Sequence, residues 1–121
     1  MKQQKKTILV ADDDPAIVDV LMLILEDAGY EVQTTTDGST LRDVHKMVPD
    51  LLLLDIWLSG WNGRDLCMAL KSDERTRHLP IILFSANKET KTIAQEAGAD
   101  DFITKPFELD ELLKKIERIL S

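Results

Sequence analysis

Apolar residues along this chain fall into short runs, separated by stretches in which they recur every three or four positions. Five runs, TILVA (7–11), EVQTT (31–35), LLLLD (51–55), PIILF (80–84) and DFIT (101–104), read as short strands. LLLLD and IILF lack polar alternation, as strands covered on both faces do. Between the runs the spacing turns helical. Residues 15–28 place Ile17, Leu21, Ile24 and Ala28 on one face and stop at Gly29, a natural left-handed terminator. Leu41, Val44 and Met47 mark a second helix closed by Pro49, and Leu66, Ala69 and Leu70 a third. Residues 88–97 offer only Ile93, Ala94 and Ala97 before Gly98, the least apolar surface of any predicted helix. Leu109, Leu112, Leu113, Ile116 and Leu120 form the last stripe. Asp110 and Glu111 open that helix, and Lys114, Lys115 and Arg118 follow, which suits the helix dipole and predicts i,i+4 ion pairs.

This (βα)5 alternation has no linker, repeat or low-complexity segment. It predicts an α/β fold: a doubly wound parallel five-stranded sheet, order 2-1-3-4-5, with helices on both faces. In such sheets ligands bind beyond the carboxyl ends of the strands, at the switch point between strands 1 and 3. Chemistry is therefore expected just after each strand.

Composition narrows the setting. The 121 residues suffice for one core, here assigned to residues 7–121 behind a basic tail, 1–6, in which Lys2, Lys5 and Lys6 read as solvated. The longest apolar run, Val20 to Leu25, is far short of the roughly 20 residues of a membrane span. The four apolar residues after the tail are too few for a signal-peptide core, so a cytoplasmic protein with no membrane association is expected. With 15 Lys and Arg against 22 Asp and Glu, and no basic stripe, direct nucleic-acid binding is not expected. The single cysteine, Cys67, excludes an internal disulfide and reads as a small buried hydrophobe. His45 and His78 fall in a helix flank and a loop and read as surface residues.

The strand ends carry Asp12, Asp13 and Asp14 after the first, Asp55 at the third, Ser85 after the fourth and Lys105 after the fifth. Asp14 precedes Pro15, the pairing of an N-cap with a proline at the first helical position. Asp12 and Asp13 have no such role and lie across the crevice from Asp55. Two carboxylates about 5 Å apart repel by roughly 3 kcal/mol even at an effective dielectric of 20. Such a cluster needs either a raised pKa or a cation, and an open all-oxygen site selects Mg²⁺ or a similar hard ion such as Mn²⁺.

ILVADDDP, PDLLLLDIWLSGWNG, PIILFSA and AGADDFITKPF, in this order and at this spacing, resemble the receiver domain of two-component response regulators over essentially the whole chain. The resemblance implies a flavodoxin-like fold and a phospho-accepting switch. Asp55 would accept a phosphoryl group, in a Mg²⁺-dependent reaction, from a histidine kinase or a histidine phosphotransfer protein. Asp13 would bind the metal directly, Asp12 partly through water, and Trp57 through its backbone carbonyl. Ser85 matches the hydroxyl that binds the phosphoryl group, Lys105 its cationic partner, and Phe102 the aromatic switch position. The Lys105-Pro106 bond resembles a cis peptide of the family, a form that costs only about 0.5–1 kcal/mol before proline.

Departures from the family pattern are informative. Ser59 stands where a proline is usual, beside Gly60 and Gly63, which keep the turns feasible. Trp57 and Asn87 occupy positions that gate water access, so bulky Trp57 is expected to slow loss of phosphate, unless it simply packs on the loop. Trp61 reads as an exposed partner contact or a loop anchor. Phe102 lacks the hydroxyl of the tyrosine often found there; it is either a switch residue acting through packing or a core residue of a central strand. The face of the helix 88–97, strand 101–104 and helix 109–120 is expected to change on phosphorylation, and a homodimer would form through it. The downstream partner would be a protein target or an effector domain beyond Ser121. Domains of this kind catalyse only their own phosphorylation and dephosphorylation.

The alternative is a receiver-like binding module that works without phosphate, although such modules typically lose an acid or the lysine and this chain keeps both. Enzymes of similar fold fit worse. Trp57 stands where a dehalogenase-type phosphatase has its second acid, and there is no glycine-lysine loop for ATP.

Overall fold

The central apolar runs become strands because their side chains are covered from both sides, whereas the outer runs at 31–35 and 101–104 stay partly exposed. A computed structural model describes residues 5–58, 60–86 and 88–121. In chain order it contains β1 (Thr7–Ala11), α1 (Pro15–Asp27), β2 (Glu31–Thr35), a 3-10 helix (Gly38–Lys46) and β3 (Leu51–Asp55). A short hairpin of β4 (Trp57–Leu58) and β5 (Trp61–Asn62) leads into α2 (Gly63–Ser72). Then follow β6 (Ile81–Ser85), α3 (Thr90–Ala97), β7 (Asp101–Thr104) and α4 (Leu109–Leu120).

The main sheet is parallel in the order β2-β1-β3-β6-β7, the predicted doubly wound arrangement. All five residues of β3 and of β6 are buried, as their unbroken apolar sequences require. Leu9, Leu52, Leu54, Ile81 and Leu83 face one layer with Leu41 of the 3-10 helix, Leu66 and Leu70 of α2 and Ala94 of α3. Ile8, Val10, Leu53, Ile82 and Phe84 face the other with Leu21 and Leu25 of α1 and Leu112 and Ile116 of α4. Cys67 is fully buried and its thiol is pushed up to about 11, chiefly by burial, which makes it an inert core residue.

Several helical details differ from expectation. The second predicted helix is a 3-10 helix. It opens with Gly38, Ser39 and Thr40, weak helix formers, and Asp37 caps it by accepting from the Ser39 N–H at 2.9 Å. Met47, assigned to its apolar stripe, is exposed. The buried face of α1 is Val18, Leu21 and Leu25; Ile17 and Ile24 are half-buried and Ala28 is exposed. The face is rotated because α1 must cover β1 and β3 while leaving Ile17 beside the loop that precedes α4. Ala69 likewise points outward, its place taken by Cys67. Two of the three basic residues of α4 pair across the fold instead of along the helix: Lys115 Nζ lies 2.9 Å from Asp101 Oδ1 and Arg118 Nη2 2.7 Å from Asp101 Oδ2.

The β4-β5 hairpin was not anticipated. It turns through Gly60 at φ +81°, a left-handed conformation that glycine adopts without strain. Trp61 is half-buried and seated on Gly38, where a Cβ would meet its Cγ at 2.6 Å, so it is a loop anchor and not an exposed contact. Gly63 serves close approach more than turning: a Cβ there would overlap the Asp55 carbonyl oxygen.

Candidate functional site

The site forms where β1 and β3 end. Asp14 caps α1, accepting from the Ala16 N–H at 3.0 Å, with Pro15 at the first helical position. That turn orients its neighbour, since the Asp14 N–H donates to Asp12 Oδ1 at 2.9 Å while the Asp12 N–H donates to the Thr35 carbonyl at 3.1 Å. Asp12 is fully buried, Asp55 nearly so, and Asp13 is exposed. One carboxylate oxygen from each of Asp12, Asp13 and Asp55 lies within 4.8 Å of the others, which brings the predicted acids together.

Lys105 closes the cluster from the end of β7. Its ammonium lies 2.9 Å from Asp12 Oδ2 and 3.6 Å from Asp55 Oδ2. Its backbone N–H donates to the Ser85 carbonyl at 2.8 Å, which fastens the two strand ends side by side, and the Lys105-Pro106 peptide is cis. Ser85 is buried at the end of β6. The Trp57 backbone N–H points at Asp55 Oδ1 at a long 3.5 Å, and its side chain is exposed.

Electrostatics single out Asp55. Its carboxyl is pushed up to about 6, first by burial and then by the charge of Asp12, against the opposing pull of Lys105 and the Trp57 N–H. A divalent cation held here would favour the ionised carboxylate and release its proton to solvent. Three carboxylate oxygens and no sulfur or imidazole in the cluster make a donor set that fits a hard divalent ion.

Other predicted residues are less central. Phe102 is half-buried on β7, which is the sheet edge and not a central strand, and Lys115 Nζ lies 5.3 Å from its ring centroid. Asn87 and Ser59 lie outside the described residues. Sequence reasoning missed two neighbours. Gly63 was read only as a turn residue. Phe84 was read only as strand, though its ring face lies 4.7 Å from Lys105 Nζ; a large aromatic one residue before Ser85 was the available signal.

Beside the site runs an apolar groove of about 520 Å³, lined by Ala16, Ile17, Val20, Pro106, Phe107 and Leu109 among others, with Lys105 at its inner end. Exposed acids neighbour its lining residues in sequence, Asp14 and Asp19 along α1 and Glu108 and Asp110 on either side of Leu109. Among the described residues no helix is long and apolar enough to cross a membrane.

A doubly wound sheet with an acid cluster and a lysine at its switch point defines a CheY-like receiver architecture, and comparison with known proteins agrees. Residues 8–117 match the family model described as the response regulator receiver domain. The chain belongs to that family. It is 39% identical to the DNA-binding dual master transcriptional regulator RpaA of Synechocystis sp., over 93% of this chain and 48% of that protein. It is 40% identical to the phosphate regulon transcriptional regulatory protein PhoB of Pseudomonas aeruginosa, over 95% of this chain and 52% of that protein. The chain thus spans about half the length of these relatives. Among solved structures, the response regulator protein TrrA of Thermotoga maritima in complex with Mg(2+)-BeF superposes with a TM-score of 0.85 at 31% identity, covering 95% of this chain and 99% of that one.

Proposed function

We propose that this receiver domain is a phospho-accepting switch with Asp55 as the acceptor. The observation that carries the reading is the buried Asp55 carboxylate, raised to about 6, within reach of two further acids and the Lys105 ammonium. Asp12, Asp13, Asp55 and the Trp57 carbonyl would hold Mg²⁺ or Mn²⁺. When bound, the ion supplies positive charge for the equatorial phosphoryl oxygens and favours the ionised form of Asp55.

The residues of the chain then divide the work. An Asp55 oxygen attacks phosphorus in line; the new P–O bond forms as the P–N bond to the donor histidine breaks, and the imidazole nitrogen leaves with the electron pair. Lys105 balances charge as a compact ammonium on a flexible stem, able to follow the phosphoryl oxygens. The Ser85 hydroxyl donates to an oxygen that exists only after transfer, which turns a covalent event into a movement of the β6 end. The domain acts as catalyst only on itself.

The donor is a histidine kinase or a histidine phosphotransfer protein. The apolar groove between α1 and residues 105–109, with exposed acids next to its lining residues in sequence, suits an amphipathic helix with basic edges that would bring the donor histidine over Asp55. The output surface is the α3-β7-α4 face, toward a protein partner, a second copy or an effector domain.

Acetyl phosphate or phosphoramidate with Mg²⁺, read by intact mass on the parent and on Asp55→Asn, tests the reading. A single added phosphate, absent after chelation and absent from the variant, is expected. No adduct on the parent would leave a phosphate-independent binding module, and an adduct on the variant would move the acceptor elsewhere.

A further inference from the structure

We propose that Phe84 is a positioning residue for Lys105: its ring is a π shelf that carries the lysine ammonium without neutralising it. The inference deepens the phospho-acceptor reading above and rests on it. Phe84 is opposite Asp55 in the β3-β6 register and opposite Ile103 in the β6-β7 register, so it stands between the acceptor strand and the strand that leads into Lys105. Its side chain is buried, with only 1% exposed, and Lys105 Nζ sits 4.7 Å from the ring centroid.

The chemistry explains why an aromatic matters at this point. The ammonium has carboxylates to one side, Asp12 at 2.9 Å and Asp55 at 3.6 Å, and the ring face below. A further carboxylate there would hold the cation by a strong directional contact and cancel its charge. A ring quadrupole attracts the cation more weakly, takes up none of its N–H donors and leaves its charge intact. The distances are unequal, and Asp12 has the closer contact. Transfer of a phosphoryl group adds anionic oxygens at Asp55, and an ammonium that serves them shifts its balance from Asp12 toward Asp55. A flat face allows that shift at nearly constant attraction, whereas an aliphatic side chain of similar volume would fill the core and give no attraction at all. The long lysine stem, otherwise rich in rotamers, is confined between this face and the acids.

The test varies the ring's charge distribution while keeping its shape. Phenylalanine carrying one, two or three ring fluorines is installed at position 84, with Phe84→Leu as the aliphatic limit. Two quantities are read: the chemical shift of the Lys105 ε-methylene protons, and the rate of phosphoryl uptake from phosphoramidate with Mg²⁺. Upfield ring-current shifts of those protons are expected in the parent, without metal or phosphate, and are expected to be lost in Phe84→Leu. Uptake is expected to slow stepwise with each fluorine, to a total of about two- to thirty-fold, while thermal stability stays near that of the parent. A rate independent of fluorine number, in a parent that does take up phosphate, would overturn the shelf and leave the acceptor reading standing. Unshifted ε-methylene protons in the parent would overturn it on their own, whatever the phosphate result. A parent that takes up no phosphate would overturn the acceptor reading and, with it, the proposed role for Phe84.

Discussion

Gly63 lies against the Asp55 backbone so closely that a Cβ on it would overlap the Asp55 carbonyl oxygen. This is the first residue of α2, and its N–H donates to the Ile56 carbonyl, so the helix start and the end of the acceptor strand are set against each other. Gly63→Ala should destabilise the fold by about 1–3 kcal/mol, the usual cost of forcing atoms into a packed interior. It should also slow phosphoryl uptake by moving Asp55. Denaturant midpoints and uptake rates check both, and a fully stable, fully active variant would mean that the loop yields freely.

Stability without divalent cations should depend on pH through Asp55. Its carboxyl is raised from 3.8 to about 6, so the folded state holds that proton more tightly than the unfolded chain. The resulting stability is fully present below about pH 4 and is lost as pH rises through about 6. In chelator the parent should therefore lose about 1–2 kcal/mol between these limits, solvent screening allowed for, relative to Asp55→Asn. Urea titrations of both proteins across pH 4 to 8 measure the difference. A parent that tracks Asp55→Asn throughout would contradict the raised value.

Lys105 is the cation nearest the fully buried Asp12. Lys105→Met keeps the apolar stem and removes the charge, which strands a buried carboxylate. A loss of about 3–5 kcal/mol at neutral pH is expected in chelator. Saturating Mg²⁺ should recover part of it, because an ion that binds only the folded state stabilises that state by mass action. Equal losses with and without Mg²⁺ in thermal unfolding would separate the acids from the metal.

The strands were largely legible in the sequence and the helical faces only in part: Leu66, Leu70, Ala94, Ala97, Leu112 and Ile116 are buried as expected, whereas the face of α1 is rotated. β1, β2, β3 and β7 begin and end where the apolar runs do, because a strand two to five residues from a turn has little freedom in register. The acids and Lys105 followed from being at strand ends, where the topology gathers them. The 3-10 helix was read as an α-helix because its apolar spacing fits both, and the seat of Trp61 on Gly38 is a contact between distant residues that leaves no local pattern. Asp101 drew Lys115 and Arg118 away from their neighbours in α4 for the same reason: a half-buried carboxylate across the fold is a better partner than an exposed one along the helix.

Those two ion pairs bind β7 to α4 on the proposed output face. Burial alone would raise the Asp101 carboxyl, but the Lys115 and Phe102 hydrogen bonds and the charges of Lys115 and Arg118 outweigh it and hold the group below its ordinary value. Phosphorylation at Asp55 should alter amide exchange chiefly in α3, β7 and α4, since α3 buries the least apolar surface and opens most easily. Exchange measured with and without a phosphoryl mimic tests this; changes confined to α1 and β2 would refute it.

Trp57 has an exposed side chain while its backbone N–H is directed at Asp55. Trp57→Ala should shorten the lifetime of the phosphorylated form severalfold by admitting water. Following the mass of the adduct over time after removal of donor gives the answer directly, and an unchanged half-life would show the ring to be a bystander.

Trp57 and Trp61 are the chain's two tryptophans, and both lie in the hairpin immediately after Asp55. One ring is open to solvent and the other rests on Gly38. Light emitted on excitation beyond the tyrosine absorption edge therefore originates wholly at this one corner of the molecule. Because the Trp57 backbone contacts Asp55, filling the acids should register as a change in emission colour or intensity with no dye attached, and iodide quenching distinguishes the outer ring from the inner.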